Sequence, residues 1–215
     1  MSSSAFHELD LILVRHGTTQ WNREKRYVGH ADPGLLPEAA GEQGALGLRL
    51  HGMCFAKVYS SDLRRCTETL RLAAPQLAAA AVPDARLREL DFGEWDGETY
   101  ESLKDVQLYR SWLDDPRCFT PPGGESLEHF EDRLTGFLNS LRDEVLQGEG
   151  SNAEGIPAVL AVTHGGVIRQ LAVLTVPGLD FWSIQLPPAG MAGLRLKYEE
   201  DGRITGSWLR NISFP

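Results

Sequence analysis

Two aliphatic runs of strand length, LDLILV at residues 9–14 and AVLAV at 158–162, both end in a histidine followed by glycine, as Arg15-His16-Gly17 and Thr163-His164-Gly165. Nearly continuous apolar runs of this length read as strands buried on both faces, the mark of a parallel sheet with helices on each side. The intervening chain fits that reading. A helical stretch is expected around 38–50, a short strand at 56–60 and a helix at 62–73. In ESLEHFEDRLTGFLNSLRDEVL the residues Leu127, Phe130, Leu134, Phe137, Leu138, Leu141 and Val145 recur every three or four positions, so this helix buries one face. A solvated loop at 148–157, a helix at 167–174, a proline-rich loop through Pro188 and strands at 192–198 and 204–212 complete the pattern. The expected class is α/β, as one domain over 1–215.

Charge and cysteine usage narrow the partners. A net charge of −9 lacks the basic surface that nucleic acid or an anionic membrane demands, so the expected ligand is small. Cys54, Cys66 and Cys118 are an odd set without metal-ligand spacing, as in a reduced cytoplasmic protein. Residues 1–8 have no signal-peptide pattern, and no apolar run approaches the ~20 residues that span a bilayer. A homodimer is left open.

Ligands of α/β sheets bind beyond the carboxyl ends of the parallel strands, where His16 and His164 both fall. A helix opening at Asp62 would place Arg64 and Arg65 in its first turn, beside unpaired N–H groups and the positive end of the dipole. Two histidines, two or three arginines and a helix N-terminus converging on one point suit a phosphoryl group.

LVRHGTTQWN, VYSSDLRRCTETL, LRELDFGEWDG, PPGGESLEHF and AVTHGGVIR, in this order, resemble the motifs of the histidine phosphatase superfamily, the phosphoglycerate-mutase-like group. The resemblance covers residues 11 to about 174. It implies a three-layer α/β/α sandwich around a mainly parallel sheet, with a cap-like segment at about 92–123. It also implies that His16 is the nucleophile, that Arg15, Asn22, Arg65, His164 and Gly165 surround the phosphoryl oxygens, and that Glu89 is the general acid. Arg64 is expected to face solvent. No cofactor or metal is implied.

The chemistry accounts for these residue types independently. Phosphate monoesters hydrolyse very slowly, and a covalent intermediate divides the task into two displacements. A neutral imidazole attacks through one nitrogen while the other donates to a carbonyl near Gly17, fixing the tautomer. Asp91, Glu94 and Asp96 compete with Glu89 for the acid's role, and Arg86 or Arg88 could instead pair Glu89 as a surface carboxylate. His7, His51 and His129 are expected outside the chemistry. Gly29, His30 and Trp112 are candidate substrate contacts, and Glu125 and Ser126 either support the pocket or simply start a helix.

Two positions depart from the family pattern. Segment 32–41 carries about one extra residue with Pro37 in place of a capping Thr, which suits a first helical turn. Cys66 replaces Ala and is expected to be buried and inert. The phrasing GGES and THGGVIR is most similar to bacterial alpha-ribazole phosphatases, and broad-specificity sugar-phosphate phosphatases share it. Phe92, Trp95, Tyr100, Tyr109, Trp112 and Phe119 either receive an apolar leaving group or pack the cap. A phosphatase is expected over a mutase, because Leu90 and Phe92 replace an arginine and a tyrosine, Val28-Gly29 replaces Thr-Gly, and Arg110 and Arg117 lie apart among Asp105, Asp114 and Asp115. A non-catalytic phosphate-binding module is the other alternative.

Overall fold

Leu9, Leu11 and Leu13 on one side of the first strand, and Ile12 and Val14 on the other, are all fully or almost fully buried, so this strand has a hydrophobic core against each face. That alone requires helices above and below. The computed structural model describes residues 8–146, 155–210 and 212. In chain order it runs β1 (Glu8–Arg15), α1 (Gln20–Arg23), α2 (Ala40–Leu50), β2 (Lys57–Ser60), α3 (Arg64–Ala73), α4 (Pro75–Ala78), β3 (Val82–Pro83), α5 (Tyr100–Leu103), α6 (Gln107–Asp114), α7 (Leu127–Leu141), β4 (Ala158–Thr163), α8 (Gly165–Thr175), β5 (Met191–Tyr198) and β6 (Ile204–Trp208).

The six strands lie in the order β3-β2-β4-β1-β5-β6. The first four run parallel, while β5 and β6 add an antiparallel edge. Helices α7 and α8 cover one face, through Phe130, Leu134, Phe137, Ile168 and Leu171. Helices α2 and α3 cover the other, through Leu46, Leu50, Cys66 and Leu70. This is the three-layer α/β/α arrangement expected from the sequence.

Differences from the expected boundaries have local causes. The Asp62 carboxylate is engaged by Arg88 at 2.5 and 2.8 Å, so Leu63 becomes the N-cap and the helix opens at Arg64. Pro37 occupies the first position of a 3₁₀ turn leading into α2, as proline's fixed φ favours. The amphipathic helix is α-helical to Leu141 and continues as a wider π turn at Arg142–Leu146. Helix α8 begins two residues earlier than its apolar pattern, on the glycines, and β6 stops at Trp208. Most of the expected 148–157 loop, and His7, lie outside the described residues.

Segment 92–123 carries α5 and α6 and a small aromatic core of its own. Trp95, Leu103 and Tyr109 are buried there against Tyr27, Phe92 and Trp112. The Tyr27 and Tyr109 hydroxyls share a 2.5 Å hydrogen bond. Among the described residues no helix is long and apolar enough to cross a membrane.

Phe137 joins α7 to the sheet, fully buried with its ring edge-on to Tyr59 at 5.4 Å. Phe137→Ala should cost about 3–5 kcal/mol of unfolding free energy, read by urea denaturation. A loss below 1 kcal/mol would show that this layer is not part of the cooperative core.

Candidate active site

Parallel pairing fixes the centre of the site. Arg15 stands opposite Thr163 in the β1–β4 register, and Ser60 opposite Val162 in the β2–β4 register. His16 and His164 therefore leave neighbouring strands at the same height, with Ser61 one position below them, level with Arg15 and Thr163. The two imidazoles meet edge to face with centroids 5.2 Å apart, His16 3% exposed and His164 not at all.

His16 Nδ1 lies 2.7 Å from the Gly17 carbonyl oxygen. A carbonyl only accepts, so Nδ1 carries the hydrogen and Nε2 keeps its lone pair. Burial, then the nearby Arg65 charge, hold the His16 pKa well below that of an ordinary imidazole. A Cβ at Gly17 would stand 2.0 Å from the Gln43 side-chain nitrogen, so a larger residue here would require Gln43 to move. Its amide donates to Thr69 Oγ1 at 2.9 Å, and the Thr18 amide and hydroxyl both bond the Glu42 carboxylate at 2.8 and 2.6 Å. The turn beneath the histidine is thus held by two side chains, Glu42 of α2 and Thr69 of α3, that the sequence did not single out.

His164 is the reverse tautomer. Arg65 Nε donates to its Nδ1 at 3.1 Å, so the hydrogen sits on Nε2, which donates to Ser61 Oγ at 2.9 Å. Burial, then Arg65 and His16, keep this imidazole neutral as well. Cys66 is buried as expected, its Sγ 3.5 Å from His164 Nε2, and that burial pushes its thiol up to about 12.

Arg65 is fully buried in the first turn of α3, with Nη1 on the Ala31 carbonyl and Nη2 on that of Gly29, both at 2.7 Å. Arg64 points outward to Glu68. Arg15 donates Nη1 to the Leu186 carbonyl at 2.6 Å, while its Nε is buried with no hydrogen-bond partner among the described residues. That nitrogen faces Gly165, whose Cβ would lie 3.5 Å away, at the N-terminus of α8. An unused buried donor beside a helix N-terminus is a place for an anion. Asn22 completes a capping box with Thr19, its Oδ1 accepting from the Thr19 amide at 3.1 Å and hydroxyl at 3.0 Å, which leaves its NH₂ to donate elsewhere.

Glu89 reaches the same helix start. Its carboxylate accepts from the Gly166 amide at 2.9 Å and the Leu90 amide at 3.0 Å, and its charge acts on both Arg15 and Arg65. The surface pairings considered from sequence do not form: Arg86 binds Asp84 and Arg88 binds Asp62. Of its competitors, Asp91 is engaged with His30 and the Gly93 amide, Asp96 with the amides of Gly29 and Ala31, and Glu94 is exposed.

The three candidate substrate contacts fare differently. Gly29 is buried with amide and carbonyl both engaged, so it builds the wall that holds Arg65. His30 places Nε2 3.0 Å from the Glu89 carbonyl and Nδ1 3.3 Å from Asp91. Trp112 stacks on Tyr109 inside the aromatic cluster, a packing role. His129 is exposed, and His51 follows α2 on the surface. Ser126 caps α7, whereas Glu125 is buried and pairs with Arg133. Arg133 is a further residue that sequence reading missed. Its signal was a charge three residues after Phe130 and four before Phe137, on the margin of the buried stripe.

Comparison with known proteins agrees with this geometry. Residues 11–209 match the model of the histidine phosphatase superfamily, branch 1. A probable phosphoglycerate mutase GpmB of Salmonella choleraesuis is 32% identical over 208 residues, covering 94% of this chain and 90% of that protein. The alpha-ribazole phosphatase of Shigella flexneri superposes with a TM-score of 0.75 at 25% identity, covering 96% and 98% of the two chains. The mycobacterial glucosyl-3-phosphoglycerate phosphatase Rv2419c does so with 0.78 at 26%, covering 94% and 97%. The protein belongs to the histidine phosphatase superfamily, as a hydrolase of the phosphoglycerate mutase family.

Proposed function

We propose that this enzyme is a phosphomonoesterase that acts on a small phosphorylated metabolite through a phosphohistidine on His16. The observation that carries the reading is the His16 tautomer. A neutral imidazole with Nδ1 committed to the Gly17 carbonyl presents Nε2 as a nucleophile, beside the unpartnered Arg15 Nε and the Arg65–His164 pair. Nε2 attacks phosphorus as the ester oxygen leaves. The guanidinium groups of Arg15 and Arg65, the Asn22 amide and the α8 N-terminus at Gly165 stabilise the equatorial oxygens. His164 Nδ1 is already occupied as an acceptor from Arg65, so a substrate bound as its phosphate monoanion brings the proton that Glu89 passes on. Glu89 protonates the leaving oxygen, then takes a proton from the water that cleaves phosphohistidine.

Leaving-group identity rests on what lies over the pocket. Segment 92–123 is read as a cap whose aromatic side chains are largely committed to one another. This supports a modest contact surface and several accepted monoesters, with alpha-ribazole 5'-phosphate and sugar phosphates as the first to screen. The GpmB relative favours a second reading, phosphoglycerate mutase. Against it, Leu90 is buried, Phe92 packs on Tyr27 and Arg117 is paired with Glu131, which leaves Arg110 without the second cap arginine that a carboxylate-bearing substrate requires.

The scheme is open to direct test. Rapid quenching with labelled substrate should trap an alkali-stable, acid-labile phosphoramidate on His16, and His16→Ala should abolish both label and turnover; retained labelling would transfer the nucleophile elsewhere. A coupled enolase assay should detect negligible interconversion of 3- and 2-phosphoglycerate against phosphate release, with turnover unaffected by prolonged EDTA dialysis. Mutase turnover matching phosphate release, or a metal that restores lost activity, would refute the phosphatase scheme.

The neutral histidines also leave an equilibrium signature. Their folded-state pKa values lie below the unfolded value near 6.5, so the unfolded chain binds more protons. Their stabilising contribution is complete above pH 6.5 and is lost as pH falls from there toward the folded values. Each should remove about 1.4 kcal/mol between pH 7.5 and 5.5. His164→Asn should abolish half of that combined slope in urea titrations, and an unchanged slope would show that His164 titrates normally when folded.

A further inference from the structure

Arg133 lies on α7, outside the phosphoryl pocket, and every hydrogen it can donate is in use. Nε and Nη2 bind the two oxygens of Glu125 at 2.7 and 2.8 Å, Nη1 binds the carbonyls of Arg86 and Arg88 at 2.5 and 2.7 Å, and Nη2 also binds the carbonyl of Glu89 at 2.9 Å. Five N–H groups meet five acceptors. The guanidinium packs 4.6 Å from the Phe130 ring centre and is largely buried, as is Glu125. A full ion pair taken out of water is a costly way to hold a loop that an apolar side chain could cover.

The acceptors explain its use. Residues 86–89 lead from β3 to Glu89 with few of the sheet hydrogen bonds that hold a strand in place. The segment is fixed at its start by Thr163 Oγ1 on the Leu87 carbonyl, 2.7 Å, and at its end by the Gly166 amide on the Glu89 carboxylate. Between these points Arg133 binds the backbone, and His30 Nε2 shares the Glu89 carbonyl at 3.0 Å. Gly166 leaves no slack, since a Cβ there would stand 2.2 Å from Glu89 Oε1.

We propose that the Glu125–Arg133 pair is the positioning device for Glu89, holding its backbone so that the carboxylate reaches the leaving oxygen. This rests on reading Glu89 as the general acid. Lysine keeps the charge but not the planar fork, so Arg133→Lys displaces Glu89 without deleting it. A displaced acid harms substrates whose leaving group needs a proton and spares those whose leaving group does not.

The test is single-turnover phosphorylation of the wild type, Glu89→Gln, Arg133→Lys and the double variant, with 2-glycerol phosphate and p-nitrophenyl phosphate, folding being checked by circular dichroism. Arg133→Lys should slow the glycerol ester by at least about 10-fold more than the p-nitrophenyl ester. The double variant should match Glu89→Gln alone, because Arg133 acts only through that carboxylate. Equal losses on both esters, or a full further loss in the Glu89→Gln background, would overturn the proposal while Glu89→Gln still discriminated between the esters. If Glu89→Gln itself fails to discriminate, the acid lies elsewhere and the positioning role falls with it. Should Arg133→Lys not fold, Glu125→Gln keeps the shape of the partner and removes its charge; it should show the same preferential loss on the glycerol ester, and equal losses on both esters would again overturn the proposal.

Discussion

The parallel pairing of β1 with β4 is the constraint on which the rest depends. With Arg15 opposite Thr163, the next residue of each strand is a histidine, and two imidazoles are forced together at the carboxyl edge of the sheet. A slip of one residue would turn every aliphatic side chain of β1 to the wrong layer, so the two cores that hold the register also hold the geometry of the histidine pair. Stability and site are therefore coupled: Ile12 and Val14 against α2 and α3, and Leu11 and Leu13 against α7 and α8, set the height of His16.

Burying so much charge at one edge creates a second problem, which the chain solves with backbone carbonyls. Arg65 rests on Gly29 and Ala31, Arg15 on Leu186, and Arg133 on residues 86, 88 and 89. Neutral acceptors satisfy a guanidinium's hydrogens without cancelling its charge, so Arg15 and Arg65 remain cationic toward a phosphoryl group. Burial, reinforced by the Arg65 charge, holds both histidines well below an ordinary imidazole pKa, which suits a nucleophile. Of these three arginines, only Arg133, away from the phosphoryl position, is neutralised by a directly bonded carboxylate.

What could be read from the sequence followed physical rules of different reach. Strand-length apolar runs and the 3.6-residue stripe of α7 are local signals, and they located the layers, the strand ends and hence His16 and His164. Glu89 came from motif resemblance, since nothing local separates it from Asp91 or Asp96; its contact with the Gly166 amide, 77 positions away, exists only in the folded chain. The helix expected from Asp62 began later because a distant Arg88 claimed the capping carboxylate. Gly29 was legible as a residue of the site but not as the wall that holds Arg65, and for Trp112 contact and packing stayed equal alternatives, because such distinctions depend on partners brought together by the fold. Arg133 was hidden for the same reason, as its five acceptors lie between 8 and 47 residues away in sequence.

Stereochemistry at phosphorus tests the central claim of two successive displacements through His16 most directly. Transfer of a chiral, isotopically labelled phosphoryl group from an ester to an acceptor alcohol should proceed with net retention, one inversion onto the imidazole and a second off it. Net inversion would mean a single direct displacement, and would contradict the nucleophilic role of His16.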